Sequence, residues 1–215
     1  MKEFSKKYYD LLNGEYKGIN LTRIVDYDEF WVKQILDSIE PLEQSKIFKK
    51  TITESSAHID VGFGGGFPIL PLAKKLPKKK FVGVETRGKK ARVVGEIAEK
   101  LGLSNVRLEH LRIENLLIDS NASVSFKAVG KVYDFLEKIK TTERITVFFY
   151  KGPGFYELEK EQIEKSKKDW EIVEQIEIEL EGVEKRYLIA FQNKKVLRGT
   201  ENKTTKNLVK LSELI

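Results

Sequence analysis

Cysteine is absent from this chain and methionine occurs once. Without thiols there is no disulfide, no thiolate metal site and no cysteine nucleophile, which is compatible with the cytoplasm. Histidine is almost as scarce: His58 and His110 stand alone, with no H-x-x-x-H spacing, and no metal is expected. No apolar run is long enough to span a bilayer, so no membrane partner is expected, and the stretch from Met1 to Asp10 has no signal-peptide core. Aliphatic and aromatic content is ordinary, which argues against extensive disorder. With 215 residues the chain can bury one good core, a single domain with short appendages.

Glycine is concentrated in one place. Ala57 to Val61 reads as a short buried strand, and Gly62, Gly64 and Gly66 follow at alternate positions before Pro68 opens a helical run. Glycines let the backbone approach a ligand and tolerate positive φ. The next strand-like run, Lys80 to Glu85, ends in an acid about 20 residues beyond the last glycine, where a carboxylate can accept both hydroxyls of a ribose. A Gly-rich turn with no ligand is the plainer alternative. A nucleoside cofactor explains both features. A dinucleotide site would show G-x-G-x-x-G, whereas this chain has G-x-G-x-G with Asp60 two residues ahead. Asp60 repels a pyrophosphate and suits the ammonium and sulfonium end of S-adenosylmethionine. The D-x-G-x-G-x-G pattern resembles the first motif of Rossmann-like methyltransferases.

The order of elements agrees. Residues 1–56 read as an N-terminal helical extension, with Phe4, Tyr8, Leu11 and Leu12 at helical spacing and Asp28 as the expected cap of a second helix through Trp31, Ile35 and Ile39. Residues 57–193 alternate strand and helix, with strands expected near 57–61, 81–85, 105–109, 123–128 and 145–150. The clearest helix is 88–101, ended by Gly102. Two long runs, Trp170 to Leu180 and Lys185 to Phe191, form a closing antiparallel hairpin. The expected fold is α/β: a Rossmann-like class I methyltransferase with a seven-stranded, mostly parallel sheet. Residues 194–215 form a basic tail, expected to be mobile apart from a terminal helical turn.

The formal charge is +6. Lysines cluster at Lys74–Lys75 and Lys78–Lys80, and a second group, Arg87, Lys89, Lys90 and Arg92, follows Glu85 at the rim where such sheets bind ligands. A solvated face is the plain reading. Beside a cofactor cleft, the second group suits a polyanion such as RNA.

These residues converge on one family. The chain resembles the bacterial small-subunit ribosomal RNA (guanine-N7) methyltransferases, the glucose-inhibited division B family, from about Tyr16 to Gln192. The resemblance rests on Asn20-Leu-Thr22, Ile35-Leu-Asp-Ser-Ile39, Ile59 to Pro68, Gly88-Lys-Lys-Ala-Arg92, Arg112-Ile-Glu114, Phe126-Lys-Ala128, Lys151-Gly152 and Glu184 to Leu188. It implies cytoplasmic, S-adenosylmethionine-dependent methylation of N7 of a guanine in 16S rRNA by a monomer. Asp60, Gly62, Phe63, Gly64, Gly66 and Phe67 would form the cofactor turn, Glu85 would hold the ribose, and Arg112, Ile113 and Glu114 would border the adenine. Lys127 would face the methyl group and, with Arg112, grip the target nucleotide. Asn20, Thr22 and Asp37 would belong to a lid over the substrate, although a helix-end cap or surface carboxylate explains Asp37 equally well. Lys89, Lys90 and Arg92 would attract phosphates. Lys127 stands where the family has arginine, Gln34 where it has histidine, Phe63 where it has a small hydroxyl residue and Ala122 where it has an acid. Two other activities fit the same residues: methylation of a protein or small molecule, and RNA binding without turnover.

Overall fold

The computed structural model describes residues 1–196 and 207–215; the middle of the expected tail lies outside the described residues. Helix α1 (Lys2–Asn13) buries Phe4, Tyr8 and Leu12, one face at helical spacing. The second helix begins at α2 (Tyr27–Phe30), widens to a π-helical turn over Trp31–Leu36 and ends in α3 (Asp37–Ile39). Its cap is Asp26, whose carboxylate accepts the Glu29 N–H at 2.8 Å, and not the expected Asp28. Helix α4 (Pro41–Gln44) follows, and Ser45 caps α5 (Lys46–Glu54) by accepting the Phe48 N–H.

The sheet then builds outward from its centre. Strands β1 (Ala57–Val61), β2 (Lys80–Glu85) and β3 (Val106–His110) lie side by side, connected through α6 (Ile69–Lys75) and α7 (Gly88–Lys100). After β4 (Leu116–Ile118) the chain returns to the other side of β1 with β5 (Ala122–Lys127). Helix α8 (Val132–Leu136) and β6 (Lys140–Thr141) lead to β7 (Thr146–Lys151); α9 (Phe155–Leu158) and α10 (Lys160–Ser166) lead to the hairpin of β8 (Trp170–Ile178) and β9 (Arg186–Asn193). The seven-stranded order is β3-β2-β1-β5-β7-β9-β8, parallel except for the antiparallel β9 and β8. The chain reverses direction across the sheet between β1 and β5, and ligands bind beyond the carboxyl ends of strands at such a point.

Three short strands escape the periodicity. β4, β6 and the last strand, β10 (Val209–Lys210), form a small parallel sheet of their own. β10 overturns the expectation of mobility for the final residues. Leu211 and Leu214 are buried with Leu116 and Ile118, and the Ser212 hydroxyl donates to Asp119.

Alternation along the strands sorts side chains onto two faces. Ile59, Val61, Val124, Phe126, Val147 and Phe149 pack beneath α8–α10, while Phe81, Phe148 and Tyr150 pack with α1, α5 and α6. On this second face the centre of the sheet is polar: His58, Asp60, Ser123 and Ser125 are all buried there. The helical extension covers them, with Phe48 edge-on to His58 at 6.1 Å.

Phe63, unusual in a glycine turn, is buried against β2, where Gly83 leaves room. A Cβ at Gly83 would lie 2.7 Å from Phe63 Cδ1 and 2.5 Å from Leu108 Cδ2. Gly83→Ala is therefore expected to cost about 1–3 kcal/mol by overpacking, read as a lower urea midpoint. A variant as stable as the parent would show that Phe63 does not depend on this gap.

Candidate functional site

The glycine turn leaves β1 with Gly62, Gly64 and Gly66 all at positive φ (70°, 53° and 92°), which explains why glycine recurs at alternate positions. The turn is stapled to β2: the Gly62 N–H donates to the Val84 carbonyl (2.7 Å) and the Gly64 N–H to Glu85 Oε2 (3.0 Å). Glu85 Oε1 accepts the Arg87 N–H at 3.0 Å and the Thr86 hydroxyl at 3.3 Å. A carboxylate offers about four lone-pair directions, so with three bonds accepted Glu85 keeps one for a ligand hydroxyl, and a second opens if the Thr86 hydroxyl, at 3.3 Å, gives up its place.

From the other side the helical extension braces the turn. The Tyr8 hydroxyl donates to the Gly65 carbonyl, and its ring stacks on Phe67 with centroids 5.0 Å apart. A Cβ at Gly65 would lie 2.5 Å from the Leu21 carbonyl oxygen. Leu21 sits between Asn20, exposed and left-handed (φ 53°), and Thr22, whose hydroxyl accepts the Ile24 N–H at 3.1 Å.

A cleft of about 440 Å³ opens beyond the ends of β1, β2 and β5. Gly62, Gly64 and Glu85 line one end, Arg112, Ile113 and Glu114 another, and Ala128 to Gly130 a third. Ala128 adopts φ 54°, a strained conformation for a residue with a Cβ. The loop it opens is held by a partly buried pair not foreseen from the sequence. Lys151 Nζ donates to the Gly130 carbonyl (2.8 Å) and pairs with Glu159 (2.7 Å), which also accepts the Val132 N–H. Of the basic group on α7, Lys90 lines the cleft, whereas Lys89 and Arg92 point to solvent, Arg92 near Glu96 at 3.9 Å. Arg87 and Lys138 add positive charge to the rim. Arg112 is exposed and lies 3.5 Å from Glu114. The structure does not bring Arg112 to Lys127: Arg112 lines the cleft beside Glu114, and Lys127 pairs beneath the extension. Phe63 and Phe67 turn their rings away from the cleft into the core.

Asp37 is neither a cap nor a surface carboxylate. It is buried, with Lys127 Nζ at 2.9 Å and Arg186 Nε at 3.7 Å. No local pattern marks Arg186 as a partner, because only the hairpin brings β9 to this point.

Asp60 is fully buried. Its Oδ1 accepts the Ser125 hydroxyl at 2.8 Å, and its Oδ2 has no hydrogen-bond partner. Burial pushes this carboxyl up to about 7, against the pull of the Ser125 hydroxyl, the Ile69 backbone N–H and the Lys127 ammonium. His58 bridges Ser123 (2.8 Å from Nδ1) and Ser125 (2.9 Å from Nε2), and burial, aided by Lys79, lowers it to about 3.

A nucleoside cofactor with a cationic amino acid tail fits these residues. Asp60 Oδ2 has no hydrogen-bond partner, Glu85 keeps a lone pair free, and a Cβ at Gly62 would strike Val129 at 2.9 Å, so the turn is bare by necessity. Among the described residues no group of three or more His, Cys, Asp and Glu is placed to hold a metal, and no helix is long and apolar enough to cross a membrane.

Comparison with known proteins follows the same line. A family model described as rRNA small subunit methyltransferase G (GidB) matches residues 1–189. The "Ribosomal RNA small subunit methyltransferase G" of Lactococcus lactis subsp. cremoris (strain SK11) is 27% identical over 205 residues, 91% of this chain and 83% of that protein. Its namesake in Flavobacterium psychrophilum is 37% identical over 130 residues, 59% of each chain. That of Lactobacillus johnsonii is 40% identical over 117 residues, 53% of this chain and 46% of the relative, so this chain matches only about half the length of several relatives. Among solved structures, a SAM-dependent methyltransferase from Aquifex aeolicus aligns with TM-score 0.54 at 16% identity, covering 73% of this chain and 93% of that one. The mitomycin 7-O-methyltransferase MmcR aligns with TM-score 0.59 at 10% identity, covering 86% and 60%. At these identities the structures share the fold, the class I methyltransferase architecture.

The two buried groups titrate in opposite senses. Folded Asp60 keeps its proton up to about 7, whereas an unfolded carboxyl loses it near 3.8; folded His58 gains one only near 3, an unfolded imidazole near 6.5. Between those unfolded values each state holds one proton, on Asp60 when folded and on His58 when unfolded, and their effects on stability cancel. Asp60→Asn leaves only the His58 contribution, which is present above 6.5 and lost as pH falls towards 3. In urea titrations at fixed pH, the variant is expected to lose stability relative to the parent as pH drops from 6.5. Parallel curves would refute this pairing.

Proposed function

The chain belongs to the rRNA small subunit methyltransferase G family, and from this we propose that it transfers a methyl group from S-adenosylmethionine to N7 of a guanine in 16S ribosomal RNA. The observation that carries the reading is the cleft at the β1/β5 switch point, where a bare glycine turn and a free-lone-pair acid meet a rim bearing Arg87, Lys90, Arg112 and Lys138. A ribosomal RNA substrate places this work in the cytoplasm.

The cofactor supplies an electrophilic methyl group on a sulfonium and leaves as S-adenosylhomocysteine. Asp60 supplies the counter-charge to its ammonium, Glu85 accepts the ribose hydroxyls, and Ile113 and Glu114 border the adenine. Guanine N7 carries an in-plane lone pair, so no proton has to be removed before it attacks. The protein's work is therefore positioning and exclusion of water. Lys127, held between β5 and the extension by Asp37, offers an ammonium to O6 or a phosphate of the target. A lysine there acts as a point charge where an arginine would fork onto two acceptors. N7 lies in the deep, narrow groove of A-form RNA, so the target guanine must be unpaired or flipped out. Asn20, Thr22 and Asp37 belong to the segments covering the site, and Lys89, Lys90 and Arg92 attract the phosphates.

Mass mapping of methylated guanosines in rRNA, from cells with and without this protein, tests the reading. Loss of one 7-methylguanosine in 16S rRNA is expected on deletion. An unchanged map, or label from radioactive S-adenosylmethionine entering protein instead of RNA, would refute it. Lys127→Ala is expected to keep cofactor binding within a few-fold and to lower methyl transfer at least about 100-fold; unchanged transfer removes Lys127 from the reaction. Neutralising Lys89, Lys90 and Arg92 together should flatten the salt dependence of RNA binding by about 2–3 in log–log slope. An unaltered slope would leave these residues out of the interface.

A further inference from the structure

Behind Asp60 runs a buried polar line whose other members the proposed chemistry leaves unused. In the parallel register of β1 and β5, His58 lies opposite Ser123 and Asp60 opposite Ser125. Four side chains then join into a line of hydrogen bonds, each 2.8 or 2.9 Å long. The direction of the line follows from donor counting. Ser125 has one hydroxyl proton, and it goes to Asp60 Oδ1. Ser125 must then accept from His58 Nε2–H, which leaves Nδ1 of the neutral imidazole to accept the Ser123 hydroxyl. Every dipole in the line points at Asp60, and the line stops there, at a fully buried Oδ2 with no partner. A buried acceptor left open costs free energy unless something fills it.

We propose that His58 and Ser125 are positioning residues for the cofactor: they hold Asp60 through one oxygen so that the other receives the α-ammonium of S-adenosylmethionine, and binding thereby displaces a proton from Asp60. The inference rests on the cofactor reading above and adds how the site recognises the amino acid tail. Besides Ser125, the groups that bear on Asp60 come from every element around it: the Ile69 backbone N–H at the start of α6, which favours the carboxylate from beyond the reach of a well-formed bond to Oδ2, Tyr8 on α1, Glu85 on β2, Lys127 on β5 and Tyr150 on β7. Both tyrosines are buried and are held neutral well above physiological pH, so neither supplies a cation. Lys127 favours the carboxylate and Glu85 opposes it. Lys127 is already paired with Asp37, which leaves Asp60 Oδ2 to a ligand. In the empty protein a proton takes that place, consistent with a carboxyl raised to about 7.

The test is calorimetric titration of the full chain with S-adenosylhomocysteine between about pH 5.5 and 7.5, below the range of about 7.7–8.0 where an α-ammonium itself titrates. Affinity is expected to rise with pH, approaching tenfold per unit at the acid end. Repeating the titration in buffers of different ionisation heat should count close to one proton released at the acid end. 5′-Methylthioadenosine, which lacks the ammonium, is expected to bind with no such pH dependence. Ser125→Ala removes the donor that favours the carboxylate and should move the rise in affinity to higher pH, with Ser125→Thr restoring it. His58→Leu should move it the same way by less. If these variants fail to fold, the proton count and the two ligands on the parent chain decide alone. Affinity for S-adenosylhomocysteine that is flat with pH, or equal weakening of Ser125→Ala at every pH, overturns the inference and spares the cofactor reading. Absence of binding by either ligand at any pH overturns both.

Discussion

The pairing of β1 with β5 is the constraint on which the rest hangs. Its register sets two serines opposite a histidine and an aspartate at the centre of the sheet, a place where aliphatic side chains would pack at no polar cost. Such a stripe survives burial only with its hydrogen bonds made and water kept out. The helical extension provides that exclusion. Phe48, Tyr8 and Phe30 belong to the same apolar cluster as Phe81 and Phe148, so the extension and the sheet share one core. The glycine turn sits at the end of the stripe and is clamped between β2 and Tyr8, which ties the shape of the cleft to both.

The charges near Lys127 follow from the same arrangement. One buried carboxylate, Asp37, lies against two cations from separate strands, and removing any member strands the others in a weakly solvated place. Such a cluster holds the ends of β5 and β9 in fixed relation to the helix above them.

Legibility in the sequence depended on distance along the chain. The strand at 57–61, the helix ended by Gly102 and the closing hairpin were readable because periodicity and turn residues act within a few positions. Strands of two or three residues, such as β6 and β10, have no period to read. The glycine turn and Glu85 were visible through spacing. The partners of Asp37 were not, since nothing local distinguishes Lys127 or Arg186 from other basic residues. Phe63 looked out of place in its turn until Gly83, on the neighbouring strand, supplied the space it fills. The polar stripe was hidden likewise: His58, Ser123 and Ser125 acquire meaning only when two strands are set side by side.

The contact between Tyr8 and Gly65 joins residues 57 positions apart. During synthesis the first helix leaves the ribosome long before the turn it braces, and its apolar face has nothing to cover until β1 and α6 have followed. Closing so long a loop costs entropy that only the finished core repays. The turn thus acquires its ligand-ready shape late, as the extension docks, and a chain whose first helix is slow to dock would be complete in length yet unable to hold its cofactor.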